Sequence, residues 1–504
     1  MIAATKVKIK GYITVKDGFQ EAVADMMALF EIPEMETLDD SLPSLAICIR
    51  NQVEGSQLPS IHTVLEYVDE NQERQEYERH SLPAEPEELT TTAIRRLLRL
   101  NIFQLLHHLT GYTPGPWGIM RGVRPAKLVH RLLDEGMDTS GIISHLHEHY
   151  AVSHEKATLI TDIALRQRNF LLEAKDKQRV SVYIGIPYCL SKCYYCSFSS
   201  ALLPSVHSEI DKFLQALEKD INSAADTITK CGLDVDSLYI GGGTPTSLPE
   251  QDFAALLSLV KKKLATTHTR EFTVEAGRPD STNETKILAM CQAGVTRVSV
   301  NPQSMQEKTL KRIGRNHNVR DIISMFQKIR DIGIPVINMD IIVGLPGETI
   351  TDLEDTLKQI SVLCPDNLTV HTLALKRGSL LMENHEGLSQ DQKLLASKML
   401  VTAERYASQM GMVPYYLYRQ KNMAGNLENV GYALPGKECL YNIQIIDERQ
   451  TIIGIGPASA TKAIVPGKHK LSSFYNPKDI RTYIDHLPTH LQRREALIAK
   501  WFNN

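Results

Sequence analysis

Three of the eight cysteines crowd into eight residues, Cys189-Leu-Ser-Lys-Cys193-Tyr-Tyr-Cys196. The other five, Cys48, Cys231, Cys291, Cys364 and Cys439, stand singly, as small buried hydrophobes do. Clustered cysteines in a reducing compartment point to metal or redox chemistry. Thiolates hold iron–sulfur clusters, and a four-iron cluster is fully ligated by four of them. Three close thiolates would hold three irons and leave the fourth open to an exogenous ligand. That iron becomes a place for chemistry rather than electron storage. The alternative is a zinc site completed by a distant His or Cys. Zinc sites more often pair their cysteines as CxxC, and the next histidine along the chain is His207.

A second group is Gly241-Gly242-Gly243-Thr244-Pro245. Alone it reads as a tight turn needing positive φ. It also lets backbone approach a ligand closely. A third group consists of polar residues in or after apolar runs: Glu275, Gln303, Arg315 and Asp340. Glu275 alone could cap a helix, and Arg315 could be a solvated cation. Asp340, between Met339 and Ile341, is harder to dismiss, because an unpaired buried carboxylate is costly.

The elements that must position these groups follow from periodicity. Strands are expected at Val180–Ile186, Ser237–Ile240, Glu271–Glu275, Thr296–Val300, Pro335–Val343 and Asn367–Ala374. Helices are expected near Ser208–Cys231, Glu250–Leu264, Ser281–Ala293, Val319–Ile332 and Ile350–Cys364. Strands separated by helices imply parallel βαβ units. Runs such as VSVYIGIP and INMDIIVG read as apolar on both faces. The cysteines, the glycines, Glu275, Gln303 and Asp340 then fall at or near the carboxyl ends of five successive strands. Ligands bind at that end of parallel α/β folds, in open sheets and barrels alike.

Before Arg179 the rhythm differs. Lys6–Val15 reads as a strand, 33–43 and 82–90 as loops, and Thr91–Leu109 as an amphipathic helix. A Gly/Pro turn leads to another helix, and Tyr150–Lys175 reads as a further one. After Lys376 come a helix at Gln390–Met410, aromatic and Gly-rich segments, and a helical tail over Asn476–Asn504.

Composition excludes several classes. With 56 Lys+Arg against 59 Asp+Glu the net charge is −3, which argues against a nucleic-acid surface driven by bulk charge. Hydrophobic residues at 42% exclude disorder as the main state. No run approaches the ~20 apolar residues of a membrane span, and the first twenty residues lack a signal-peptide core. A cytoplasmic location is the expectation.

The chain resembles the radical S-adenosylmethionine (SAM) enzymes, whose cluster motif is CxxxCxYC with an aromatic before the third cysteine. Tyr183-Ile-Gly-Ile-Pro-Tyr-Cys189, the Gly-Gly-Gly-Thr-Pro-Thr at 241–246, Glu275, Gln303, Arg315 and Asp340-Ile-Ile-Val-Gly-Leu-Pro-Gly are spaced as in the oxygen-independent coproporphyrinogen III oxidase branch. The resemblance runs from about 180 to 462, through Gly431–Asn442 and Gly454-Ile-Gly456. The long N-terminal segment with Gly122-Val-Arg-Pro-Ala-Lys-Leu-Val-His130 is similar to the HemZ type. The implied fold is α/β, a radical SAM partial (β/α)6 TIM-like barrel over 176–375. An N-terminal α+β accessory domain would occupy 1–175 and a C-terminal substrate-covering elaboration 376–504.

The resemblance implies that Cys189, Cys193 and Cys196 ligate a [4Fe–4S] cluster whose open iron takes SAM, one or two molecules per site. Tyr183, Gly242 and Glu275 match positions that contact SAM. So do Gln303, Arg315, Asp340 and Ala374, in part for a second molecule, and Tyr195, Gly243 and Thr244. The implied activity is a coproporphyrinogen dehydrogenase of porphyrin and haem biosynthesis. One electron from the cluster would split SAM to a 5′-deoxyadenosyl radical. That radical would drive oxidative decarboxylation of two propionates to vinyls, giving protoporphyrinogen IX. The expected partners are coproporphyrinogen III or haem and an unidentified one-electron donor, with no nucleic acid and no membrane span; a monomer is preferred. Arg278, Lys376, Arg377, Arg419 and Lys421 are candidate cations for the substrate carboxylates. Some members carry another cysteine two residues after the third ligand, where this chain has Phe198. Proteins of the same branch that transfer haem share the core pattern, so a haem chaperone is the alternative function.

Overall fold

The computed structural model describes residues 10–14, 19–32, 46–55, 58–69, 73–84, 88–122, 124–171, 176, 178–198, 200–375, 379–383, 388–420, 423–464 and 471–502. They divide into two compact units, Met1–Asp162 and Ile163–Asn504.

In the N-terminal unit, four strands form one sheet in chain order. They are β1 (Lys10–Thr14), β2 (Ala46–Glu54), β3 (Ser60–Val68) and β4 (Arg74–His80), with α1 (Gln20–Leu29) between the first two. β1 and β2 are parallel, and the other pairs are antiparallel. Helix α2 (Thr90–Thr110) lies where the apolar spacing of 91–109 expects it and buries Leu97, Leu98, Leu105 and Leu106. Its buried Asn101 donates to Ile61 O at 2.9 Å, pinning the helix to β3. Helices α3 (Ala126–Asp134), α4 (Thr139–Tyr150) and α5 (His154–Gln167) follow. The single helix expected from Tyr150 to Lys175 is broken at its start. Ala151 takes a left-handed conformation (φ 54°) that ends α4, and a new helix begins at His154. Of the expected strand Lys6–Val15, 6–9 and 15 lie outside the described residues, as do the expected loop 33–43 and positions 172–175.

The second unit holds the βα series. Strand β5 (Arg179–Ile186) leads into a short ladder of β6 (Tyr188–Cys189) with β7 (Ala201–Leu202), then α6 (His207–Lys230). Next come β8 (Asp234–Gly242), α7 (Glu250–Leu264), β9 (Glu271–Gly277), α8 (Glu284–Ala293) and β10 (Arg297–Gln303). Helices α9 (Glu307–Arg312) and α10 (Val319–Ile332) precede β11 (Val336–Val343), and α11 (Ile350–Leu363) precedes β12 (Asn367–Thr372). Capping boxes start α10 (Asn318 with Asp321) and α11 (Thr349 with Asp352). These six main strands lie side by side in sequence order, all parallel. That is the order of a (β/α) barrel wall; a doubly wound sheet reverses its order partway.

The wall does not close on itself. Helices α12 (Leu380–Glu383) and α13 (Gln390–Gln409) are followed by β13 (Val413–Tyr418), β14 (Asn429–Ala433), α14 (Leu440–Asp447), β15 (Thr451–Ile455), β16 (Ala460–Ile464), β17 (Leu471–Tyr475), α15 (Ile480–Asp485) and α16 (Leu487–Phe502). β14 and β13 add antiparallel beyond β12. β15 adds parallel beside β5, and β16 and β17 extend that edge. The result is one eleven-stranded sheet, so the aromatic and Gly-rich segments after Lys376 share the ladder of the core. Among the described residues no helix is long and apolar enough to cross a membrane.

Candidate functional site

Strand alternation builds the site. On β9 to β12, Val274, Val298, Val300, Ile337, Met339, Ile341, Leu368 and Val370 are buried in the core. The intervening positions, with period two, line a single cavity of about 410 Å³: Glu275, Ser299, Asn301, Asn338, Asp340 and Thr369. The expectation that INMDIIVG is apolar on both faces therefore fails on β11, whose cavity face carries Asn338 and Asp340. Register sets the polar side chains abreast. Ser299 pairs with both Glu275 and Asn338, and Asp340 pairs with Thr369.

The three cysteines open on the same cavity. They sit on the loop closed by the β6–β7 ladder, where Leu203 N–H donates to Cys189 O at 2.9 Å. Tyr194 N–H reaches Ile313 O at 3.1 Å and Leu381 N–H reaches Tyr194 O at 3.0 Å, which ties the loop down. Cys196 N–H donates to Cys193 O at 3.1 Å. All three thiols are free. Burial pushes the Cys196 thiol up from its ordinary value.

The glycine turn is packed directly against this loop. Gly242 has φ 112°, and Gly243 N–H donates to Ile186 O at 2.7 Å. A Cβ on Gly243 would lie 2.5 Å from Tyr188 O and 3.1 Å from Cys189 Sγ. The space beside the first thiol thus exists only because that residue has no side chain. Thr244 N–H donates to Tyr188 O at 2.7 Å, and Thr244 Oγ1 lies 3.4 Å from Cys189 Sγ.

Two carboxylates face the cavity. Glu275 accepts from Tyr239 OH at 2.7 Å. Burial, reinforced by the charge of Asp340, pushes its pKa up to about 7, although Tyr239 and Gly242 N–H oppose the shift. Asp340 accepts from Asn338 Nδ2 at 2.6 Å and lies 3.6 Å from His371 Nε2, whose Nδ1 is 3.1 Å from Tyr418 OH.

Arg315 and Gln303 complete the wall. Arg315 is buried and donates from Nη2 to Tyr195 OH at 2.6 Å; its Nε and Nη1 have no partner among the described residues. Burial opposes its charge, but Tyr195 and Cys193 outweigh that and hold it above its ordinary value. Gln303 follows a shift in the β10–β11 register and sits at φ 67°, a left-handed conformation that costs a non-glycine residue on the order of 1–3 kcal/mol. Its Oε1 is buried without a partner among the described residues, as is Asn301 Oδ1. Such buried, unsatisfied groups converging on a cavity fit a polar ligand that completes them.

Ala374 also lines the cavity and bridges to Met423. Tyr183 does not line it; its ring stacks behind, 6.0 Å from those of Tyr239 and Tyr441. Of the candidate cations, Arg278 is already engaged. It donates to Ser191 O at 2.9 Å, Ser191 Oγ at 2.7 Å and Cys193 Sγ at 3.7 Å, and pairs with Asp280 at 2.5 Å. It fastens the cysteine loop. Arg419 is buried off the cavity, donating to Asn426 O at 2.8 Å. Lys376, Arg377 and Lys421 lie outside the described residues. Sequence reasoning passed over Lys192, His371, Tyr416 and Tyr418, which line the cavity. His371 was signalled only by its place two residues past Thr369 on the same strand face.

The donor set favours a cluster over a single ion. Among the described residues, one set of three His, Cys, Asp or Glu side chains brings its ligand atoms within 4.8 Å of one another, and it lies in the N-terminal unit. The three thiols are spread more widely than that.

Comparison with known proteins agrees with this geometry. Residues 183–360 match the Radical SAM superfamily. The chain is 40% identical over 381 residues to the oxygen-independent coproporphyrinogen-III oxidase-like protein HemZ of Bacillus subtilis, covering 75% of this chain and 76% of that one. It is 32% identical to the heme chaperone HemW of Bacillus subtilis, over 44% of this chain and 59% of that one. The structure of coproporphyrinogen III oxidase (HemN) from Escherichia coli, a radical SAM enzyme, superposes with a TM-score of 0.51 at 21% identity, covering 68% of this chain and 79% of that one. That likeness establishes the fold.

Proposed function

The chain belongs to the radical SAM superfamily, in the family of oxygen-independent coproporphyrinogen-III oxidase-like HemZ proteins, and from that premise we propose that it is a coproporphyrinogen III dehydrogenase. Cys189, Cys193 and Cys196 would hold three irons of a [4Fe–4S] cluster, and the open cradle at Gly243 fits the group beside them. When bound, cluster and SAM supply one-electron cleavage of a sulfonium and an acceptor for a hydrogen atom. Each of two substrate propionates would lose its β-hydrogen atom to that acceptor, then CO₂ and one electron, and become a vinyl group. The cleavage needs a one-electron donor, and each decarboxylation a one-electron acceptor.

The chain's own residues bind and orient. Arg315 offers two free donors to a carboxylate, as SAM carries on its methionine end. Gln303 and Asn301 offer acceptors for its ammonium or hydroxyls. Glu275, Asp340, Gly242, Thr244 and Ala374 shape the remaining wall, and Tyr195 holds Arg315 in place. Among the described lining residues Lys192 is the cation left for a substrate propionate. Phe198, Ile342, Ile445 and Ile446 offer the apolar surface a tetrapyrrole requires. The observation that carries the reading is the opening of three thiols and the unsatisfied Arg315, Gln303 and Asn301 onto one cavity.

A second reading is a haem chaperone. The relative named heme chaperone HemW favours it, as does Phe198, 69% exposed at the position where some family members have another cysteine. One experiment separates the two. The protein is incubated without oxygen with SAM, a reductant and coproporphyrinogen III. The dehydrogenase yields vinyl porphyrin and 5′-deoxyadenosine; retained haem with no turnover of coproporphyrinogen favours the chaperone. We take a cytosolic location and a monomeric state as part of the proposal.

A further inference from the structure

The N-terminal unit carries a side-chain cluster that the proposed reaction does not use. Its three antiparallel strands are held in one register, with Glu54 opposite Ser60 and Gln52 opposite His62 across β2 and β3, and His62 opposite His80 across β3 and β4. Residues two apart on a strand share a face, so Glu54, His62 and His80 stand on the same side of the sheet. The neighbouring Ile61, whose side chain points the other way, is fully buried. Ser81 N–H donates to Ile61 O at 2.9 Å, which makes Ile61–Ser81 a hydrogen-bonded pair. His62–His80 is then a non-hydrogen-bonded pair, the position at which cross-strand side chains approach most closely. Their imidazoles lie face to face, with centroids 3.9 Å apart and planes within 4°. The ligand atoms of Glu54, His62 and His80 all lie within 4.8 Å of one another.

We propose that Glu54, His62 and His80 form a binding site for a divalent transition-metal ion of the zinc or nickel class. Two imidazoles and one carboxylate are a recurrent donor set for such ions, with the remaining positions left to water. Ligands at ~2.1 Å from a common ion are about 3.5 Å apart, so ligand atoms already within 4.8 Å of one another close by at most about 1.3 Å, and the parallel imidazoles tilt so that both in-plane lone pairs meet the ion, movements that side-chain rotation supplies. Glu78, on the same face of β4, places Oε2 3.3 Å from His62 Nε2. It supplies the carboxylate that orients a metal-binding imidazole. Each ligand comes from a different strand, and β4 is the edge of the sheet. The ion therefore staples an edge strand to the two strands inside it, coupling metal binding to the stability of this unit.

The test is a calorimetric titration of the full-length, cluster-loaded protein with Ni²⁺ alone. One ion is expected to bind per chain, with affinity at least about tenfold weaker in His62→Asn and in His80→Asn. Iron content and SAM cleavage should be the same in all three proteins. Nickel should raise the melting temperature of the wild type and not of the variants. Equal nickel affinity in the wild type and both variants, or no heat of binding at micromolar nickel, would overturn the site.

Discussion

Two arginines in the same unit, both more than nine-tenths buried, differ in how completely they are satisfied. Arg297, the first residue of β10, donates to Glu271, Asn367, and the carbonyls of Lys437 at 2.7 Å and Glu438 at 2.8 Å. Glu271 in turn accepts from the N–H groups of Leu440 and Tyr441. Every nitrogen of that guanidinium is used, and the network fastens the amino ends of three strands to the C-terminal segment. Among the described residues the side chain of Arg315, beyond the carboxyl end of β10, makes one hydrogen bond, to Tyr195, and leaves two nitrogens unpaired. A buried donor left unpaired costs about 1–3 kcal/mol, a cost folding alone does not recover. On the function proposed above, the difference separates a charge that holds the fold from a charge kept for a ligand. It also matches the general division in β/α wall folds between a structural amino end and a functional carboxyl end.

Four kinds of substitution would break or sharpen that contrast. The largest effect belongs to the thiols. Cys193→Ala should lose the broad visible absorption of anaerobically reconstituted protein and all SAM cleavage, while its far-ultraviolet circular dichroism stays that of the wild type. Retained cleavage would remove the cysteines from the site.

The arginine pair comes next. Arg297→Ala should lower stability by about 3–5 kcal/mol in urea titration, because it strands Glu271 in the interior. Arg315→Ala should leave stability within about 1 kcal/mol. It should weaken SAM binding by roughly 10–100-fold in equilibrium dialysis, the worth of a charge-assisted hydrogen bond. Exchanged outcomes would invert the assignment of the two ends.

Glu275 gives a smaller effect with a definite sign. Burial raises its pKa from 4.5 to about 7, so between those values the folded chain keeps a proton that the unfolded chain has released. Stability of the ligand-free protein should therefore be highest below pH 4.5 as far as this group is concerned. It should fall as pH rises to 7, by on the order of 3 kcal/mol. Glu275→Gln should abolish that slope in thermal melts across the window. A slope unchanged by the substitution would mean that the carboxyl is not held protonated. The smallest effect is expected at Tyr183, whose ring stands behind Tyr239 rather than on the cavity. Tyr183→Phe should change SAM affinity by less than about threefold. A larger loss would show that the family pattern sees a contact the cavity wall does not.

The wall of six strands was legible because each strand and its helix are local patterns, with the cysteines, glycines, Glu275 and Gln303 at or near the strand ends and Asp340 inside β11. What the chain did not disclose depends on distant pairing. Thr451–Ile455 lies beside Val180–Ile184 across some 270 residues of sequence, and Asn429–Ala433 beside Asn367–Val370. Their Gly- and Tyr-rich composition carries no clean alternation to announce a strand. Arg278 looked like a cation for the substrate because its partner, the Ser191 carbonyl, is 87 residues away. The extent of the polar face of β9 to β12, beyond Glu275 and Asp340, was hidden for a related reason. Asn338 and Asp340 alternate with Ile337, Met339 and Ile341, a sign of two different environments that the general hydrophobicity of the run obscured.

The most direct measurement is the electron paramagnetic resonance spectrum of the reduced, reconstituted protein, recorded with and without SAM. Coordination at an iron lacking a protein thiolate predicts a change in g-values on adding SAM to the wild type. It also predicts a much smaller change at the same concentration in Arg315→Ala. A wild-type signal that SAM leaves unaltered would contradict the account.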